Sequence, residues 1–299
     1  MAVTEGAKCR GGPDFFSALP EGCIASVVSF TSPPDACRLA TLSENFKSAC
    51  DSDVVWASFL PPDWRQMVSS RRVSSLKELY FSLCNDPVLS ADGKMSFSLD
   101  RHSGKKCIML SARALSIIWG NTPDYWSWTS MSNSRFAEVA ELIDVCWLEI
   151  KGTISSCMLS PRTRYAAYLV FKFTPTSHGF EFQPIEVGAG FAGDEAGRQK
   201  RSVYLYRENN TRQWRSRPRF RHAGRALMLA PAEGSGNYAK ERQDGWSEIE
   251  LGEFLTKEGE DGEVEMSVME TKGGHWTKGG HWKPGLVVEG IEIRPKDGE

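Results

Sequence analysis

The chain has 299 residues, enough for two ordinary domains, and its 40% apolar content excludes a wholly disordered protein. With 36 Lys plus Arg against 38 Asp plus Glu, the net charge of −2 argues against bulk nucleic-acid binding. No run approaches the roughly 20 apolar residues that membrane insertion requires, and the opening MAVTEGAKCRGGPDFF lacks the apolar stretch of a secretory signal.

The first elements are helical. Leu19-Pro20 opens a helix, with Pro20 suited to its first turn and Ile24, Val27 and Val28 at i, i+3, i+4 spacing. Ser32-Pro33-Pro34-Asp35 ends that helix and starts a second, carrying Ala36, Leu39 and Ala40. Asp51-Ser52-Asp53 supplies caps for a third with Val55, Trp56 and Phe59, and Pro61-Pro62 stops it. A further helix begins at Ser75, where Glu78 completes a capping box and Leu76, Leu79, Tyr80 and Leu83 share a face. Some 50 residues of short helices over 14–64 bury poorly alone, so their spare apolar surface is predicted to cover the rest of the chain or to meet a partner.

From about residue 93 the apolar period changes to two. Strand candidates are 107–110, 114–119, 125–129, 142–150, 165–173, 180–187, 202–206, 246–251, 263–270 and 286–293. No helical crossovers separate them, so an antiparallel sandwich or jelly roll is expected rather than a parallel α/β sheet. The segment SARALSIIWGNTPDYWSWTS at 111–130 is predicted as a hairpin, turning at Asn121-Thr122-Pro123-Asp124. Its tryptophans, 119, 126 and 128, suit either a core or an aromatic platform covering the apolar faces of sugar rings. The eight cysteines all precede residue 158 and none is spaced C-x-x-C, so reduced thiols and no metal site are expected. No cofactor is implied. Farther on, residues 197–225 hold ten basic side chains and one acid, whereas 241–270 hold eleven acids and two basics; the two imbalances, +9 and −9, cancel. A tandem GGHWTK–GGHWKP at 273–284 is read as a lengthened loop.

The run LPEGCIASVVSFTSPPDACRLATLSENFKSACDSDVVWASFLPPDW resembles an F-box, from its Leu-Pro opening to its VWASFLP ending. That resemblance implies docking onto the SKP-type adaptor of a cullin-based (SCF) ubiquitin ligase. Leu19, Pro20, Ile24, Val28, Leu39, Ala40 and Trp56 fall where the family contacts the adaptor. Residues 93–297 resemble the phloem protein two / Nictaba lectin domain of plants in six ordered blocks. These are ARALSIIW…PDYWSW, VAELIDVCWLEIKG, RYAAYLVFKF, DGWSEIELGEF, DGEVEMSVME and GLVVEGIEIRPK. This second resemblance implies binding of N-acetylglucosamine oligomers or N-glycans. The family's two binding tryptophans correspond to Trp119 and Trp126, and its two site glutamates to Glu263 and Glu270. On one continuous strand those carboxylates would stand about 23 Å apart on opposite faces, so Glu263 ranks first.

Together these readings give a two-domain α+β chain. A small three-helix F-box (14–64), a helix and linker (65–92) and an antiparallel β-sandwich lectin domain of jelly-roll type (93–297) follow one another. The implied function is that of a ligase subunit selecting glycoproteins, in the nucleus or cytoplasm, with no catalysis of its own. The alternative is a β domain that has lost sugar binding and takes protein targets directly. A glycosidase using Glu263 and Glu270 is excluded by spacing, since such pairs lie roughly 5–9.5 Å apart. The Arg-rich 207–225 stretch suits a nuclear address, an anion-binding loop or a solvated surface.

Overall fold

A computed structural model of the chain describes residues 19–67, 73–180, 184–194, 198, 200–205, 238–259, 261–270 and 282–296. The first F-box residues (14–18), the Arg-rich 207–225 stretch and the tandem GGHW sequence through His281 lie outside the described residues. The chain divides into two compact units: residues 1–86 with 99–104, and residues 87–98 with 105–299.

The first unit is helical: α1 (Glu21–Val28), α2 (Pro33–Leu39), α3 (Glu44–Asp51), α4 (Asp53–Phe59), α5 (Trp64–Met67) and α6 (Leu76–Asn85). Ser32, Ser43 and Ser75 cap α2, α3 and α6 by accepting the N–H groups of Asp35, Phe46 and Glu78. The Glu78 carboxylate closes back onto the Ser74 N–H and hydroxyl, one residue earlier than a capping box requires. Four helices, not three, fill residues 21–59. The unexpected one, α3, reads ENFKSACD and buries only Ala49 and Cys50, so no apolar period marks it. Trp56 centres the core of this unit, with its indole N–H on the Cys50 carbonyl at 2.8 Å and its ring against Phe59, Tyr80 and Phe81.

Among the described residues the second unit holds fourteen strands: β1 (Val88–Leu89), β2 (Met95–Leu99), β3 (Lys106–Ser111), β4 (Ser116–Ile117), β5 (Trp126–Thr129), β6 (Val139–Leu142), β7 (Glu149–Ser155), β8 (Thr163–Phe173), β9 (Ile185–Phe191), β10 (Arg201–Val203), β11 (Lys240–Glu241), β12 (Ser247–Thr256), β13 (Glu263–Met269) and β14 (Leu286–Pro295). They form two antiparallel sheets. One runs β1-β2-β3-β14-β8-β12-β11, with β6 paired to β14 and β5 to β6; the other runs β10-β9-β13-β7-β4. Their inner faces share one core, in which Ile108, Leu169, Ile249 and Ile291 from the first sheet meet Ile150, Val187, Val264 and Val268 from the second. The period-two pattern of β13 is met in full, with Val264, Met266 and Val268 inside. The 142–150 candidate is not one strand: β6 ends at Leu142, β7 starts at Glu149, and a loop joins them.

Central β14 is buried on both faces and shifts register between Val288 and Gly290, where a side chain would strike the Leu110 carbonyl. Two glutamates lie within it. Glu289 accepts the Arg135 N–H at 2.9 Å and the Ser134 hydroxyl at 3.1 Å. Glu292 is held by Arg242 at 2.6 Å, Arg294 at 3.1 Å and Arg135 at 3.4 Å. Burial alone would push the Glu292 carboxyl up, but the arginines, Arg242 foremost, outweigh it and hold it below the usual carboxylate range. Glu289, with fewer charges facing it, is pushed up by burial.

Candidate functional site

In the helical unit, α1 turns Ile24, Ala25 and Val28 inward and leaves Val27 exposed. Phe30, just past its end, is 90% exposed. Leu19, Val27, Leu39, Leu42 and Phe46 line an apolar groove of about 320 Å³, with Ile24 and Val28 beneath them. The sequence-based contact set therefore divides. Leu19 and Pro20 are exposed, and Leu39 and Ala40 are half-buried. Ile24, Val28 and Trp56 are core residues of their own unit, with Ile24 and Val28 reaching the floor of the groove. Residues that the spacing argument left out, Phe30, Leu42 and Val54, carry the exposed apolar surface instead. The available signal was an excess: apolar residues outnumbered what one helix face can bury.

In the β unit the hairpin over 111–130 departs from simple alternation. Of the expected first arm, 114–119, only Ser116 and Ile117 are strand, and Trp119 takes φ 55°, a left-handed conformation rare for an aromatic residue. Gly120 N–H donates to Ile117 and Thr122 N–H to the Trp119 carbonyl, at 2.9 and 2.8 Å, closing the turn around it. The indole leaves the face of Leu115 and Ile117 and stands 41% exposed, with the Tyr125 ring 5.2 Å away. Trp126 is 2% exposed. It belongs to the core, contrary to its expected place in the binding platform, and its indole N–H donates to the Ile118 carbonyl at 3.1 Å. Trp128 likewise donates to the Gly120 carbonyl at 2.9 Å, under the Arg113 guanidinium. These two buried or half-buried indoles fasten segment 118–120 to β5, and the strained turn between them projects Trp119 outward.

The two glutamates stand at opposite ends of β13. Glu263 is exposed where the strand begins, opposite Ser155. Glu270 follows the strand's last residue and is buried, paired with the equally buried Lys283; among the described residues its Oε1 has no hydrogen-bond partner. Glu270 N–H donates to the Leu148 carbonyl at 3.0 Å, and Ile118 N–H to the neighbouring Glu149 carbonyl at 3.0 Å. Glu270 is thus at the Trp119 end and Glu263 at the far end, the reverse of the sequence-based ranking. The structure brings Trp119, Tyr125 and Glu270 to one end of the sandwich; it does not bring Trp126 or Glu263 there as surface groups.

A larger groove of about 470 Å³ crosses the outer face of the five-stranded sheet. Its charges pair off, Arg198 with Glu265, Lys151 with Glu149 at 2.5 Å and Lys200 with Glu186 at 3.5 Å, so it offers no net charge and no aromatic surface. Among the described residues no cluster of His, Cys, Asp and Glu is fit to hold a metal ion, and no helix is long and apolar enough to cross a membrane.

Comparison with known proteins gives two family matches: the Phloem protein 2 family over residues 105–295 and the F-box domain over residues 16–58. Among curated relatives, the Arabidopsis thaliana F-box protein At2g02240 is 47% identical, over 95% of this chain and 81% of its own. The F-box protein PP2-B10 of the same plant is 46% identical over 94% of both chains. Solved structures are more distant: the Podospora anserina GH26-CBM35 β-(1,4)-mannanase matches 64% of this chain and 28% of its own at TM-score 0.32 and 8% identity. That likeness carries no functional argument.

Proposed function

Because the chain belongs to the F-box proteins that carry a Phloem protein 2 domain, we propose that it is the substrate-recognition subunit of an SCF-type ubiquitin ligase. Its helical unit docks on the SKP-type adaptor, and its β unit selects glycans or glycoproteins bearing N-acetylglucosamine. The subunit carries out no chemistry itself and works in the nucleus or cytoplasm. We assign the F-box to residues 14–64, the connecting helix and linker to 65–92, and a jelly-roll-like lectin domain to 93–297.

The observation that carries the sugar reading is Trp119. A tryptophan in a left-handed turn is strained, and half its ring is left in water beside Tyr125, with no contribution to the core to account for either. An exposed indole flanked by a second ring fits the C–H face of a pyranose. For the adaptor, the support is the apolar groove lined by Leu19, Val27, Leu39, Leu42 and Phe46, together with the exposed Phe30: aromatic and aliphatic anchors suit a protein-docking surface.

A glycan array probed with the full-length chain tests this reading. Signal on N-acetylglucosamine oligomers or N-glycans, lost in Trp119→Ala, is expected. A blank array from folded protein would contradict it and leave a β unit that takes protein targets directly.

A further inference from the structure

Strand β12 is paired unevenly. On one side β8 accompanies it along its whole length, from Ser247 opposite Phe171 to Thr256 opposite Thr163. On the other side β11 reaches only Ser247 and Glu248, and the Arg201 guanidinium donates to the Glu250 carbonyl. At Gly252 the strand touches β9, since a side chain there would lie 2.9 Å from the Ala189 backbone nitrogen. From Glu253 to Thr256 no strand among the described residues pairs with the outer edge. In an antiparallel ladder every second residue turns its N–H and C=O away from its partner. Two of these four residues therefore present both groups outward.

The neighbouring strand β9 is also incompletely paired, because β10 covers only Ile185, Glu186 and Val187. Beyond the Gly252–Ala189 contact the two strands border a groove of about 650 Å³. Buried Phe254 and half-buried Phe191 supply its apolar part, with ring centroids 6.1 Å apart, and Ala192 and Leu255 are exposed beside them. Asp194, Glu253 and Asp261 against Lys257 give the lining an acidic balance. Ala192 N–H donates to the Glu263 carbonyl at 2.8 Å, so the groove lies at the Glu263 end of the sandwich, away from Trp119.

We propose that this edge receives an extended segment of the target polypeptide, which adds to β12 as a further strand. Its side chains alternate, apolar ones toward Phe191 and Phe254 and basic ones toward the carboxylates. A second copy of this chain fits the edge less well, because it would bring the same carboxylates to the same place. The inference does not rest on the sugar reading; it gives the β unit a polypeptide contact at the end opposite the exposed indole.

The test is titration of the full-length chain, by fluorescence anisotropy, with labelled hexapeptides in which Val alternates with Lys, Ser or Glu. A fourth peptide is the Val–Lys sequence with Pro at its two central positions. Affinity is expected to fall from Lys to Ser to Glu by about threefold at each step. The Pro peptide should bind about tenfold or more below its parent, because it cannot complete a ladder. Ala192→Arg should weaken the Val–Lys peptide about tenfold and leave the melting temperature in place, since the side chain stands in solvent at the groove. Should that variant misfold, amide hydrogen exchange on the native chain decides: two amides within 253–256 must slow when the Val–Lys peptide saturates it. Equal binding of the Pro peptide, unchanged exchange over 253–256, or no binding of any of the four peptides overturns the inference and leaves the Trp119 reading standing. Native protein that sediments as a dimer and becomes monomeric in Ala192→Arg also overturns it, by making a second copy the occupant.

Discussion

The helical and β units use tryptophan alike and spend their remaining apolar surface differently. Each buries indoles as hubs, Trp56 in the first and Trp126 and Trp246 in the second, and each of these indole N–H groups has a backbone carbonyl. Beyond the hub, the helical unit exposes Phe30 and branched aliphatic side chains, several of the latter lining a groove. Among the described residues the β unit exposes the indoles Trp119, Trp147 and Trp282, together with Leu89, Ile143, Met158 and Leu255. The buried charges of the described residues, Lys106, Glu270, Lys283, Glu289 and Glu292, all belong to the β unit. An aromatic residue in an apolar pattern is thus not informative about its role until the turn chemistry and the neighbouring strand are known.

Substitutions break or sharpen that contrast. Trp126→Ala should cost about 3–5 kcal/mol of stability, as expected for a large aromatic cut from a packed core, and denaturant unfolding measures it. A variant that keeps native stability would return Trp126 to the surface platform. Next in size, Glu292→Gln should cost about 2–3 kcal/mol at pH 7 by leaving Arg242, Arg135 and Arg294 short of a partner. Because the folded-state pKa of Glu292 is lowered, its contribution is present above the unfolded value and is lost as pH falls through the folded one. The gap between native and variant should therefore narrow below about pH 4, the ordinary glutamate range. A gap constant from pH 7 to 3 would show that the carboxylate's charge is not what stabilises β14.

Smaller effects follow on the two surfaces. Phe30→Asp should weaken adaptor binding by about 2 kcal/mol or more, without moving the unfolding midpoint, since the ring packs on nothing in its own unit. Loss of fold in that variant would make Phe30 structural. Trp119→Gly should lose sugar binding while holding or raising stability by up to about 1 kcal/mol, because glycine accepts the left-handed turn without strain. A clear drop in its melting temperature would mean that the exposed indole supports the fold.

Much of this architecture was legible in the sequence. Capping serines and proline stops located α1, α2, α4 and α6, and alternation located β8, β13 and β14. The helix ENFKSACD was not, because polar residues dominate it and its signal is the Ser43 cap alone. At the site, a single positive φ at Trp119 sets its exposed indole apart from the buried Trp126. Backbone dihedrals of this kind are set by the surrounding hydrogen bonds, here those of Gly120 and Thr122, and residue type does not announce them. The loop carrying Trp147 reads as strand, since Ile143, Val145 and Trp147 alternate; only the pairing of β6 with β5 and β14, and of β7 with β4 and β13, shows where the strands stop. The glutamates of β14 were likewise hidden, because apart from Arg294 their partners come from segments 50 to 157 residues away in the chain.

The most direct test is a bridging experiment. Purified SKP-type adaptor is passed over immobilised chitotriose with and without the full-length protein. Retention of adaptor only when the protein is present, abolished by free chitotriose and by either Phe30→Asp or Trp119→Gly, is the expected result. Passage of folded native protein straight through the column, or adaptor retention unaffected by Phe30→Asp, would contradict a molecule that holds a sugar at one surface and the ligase at the other.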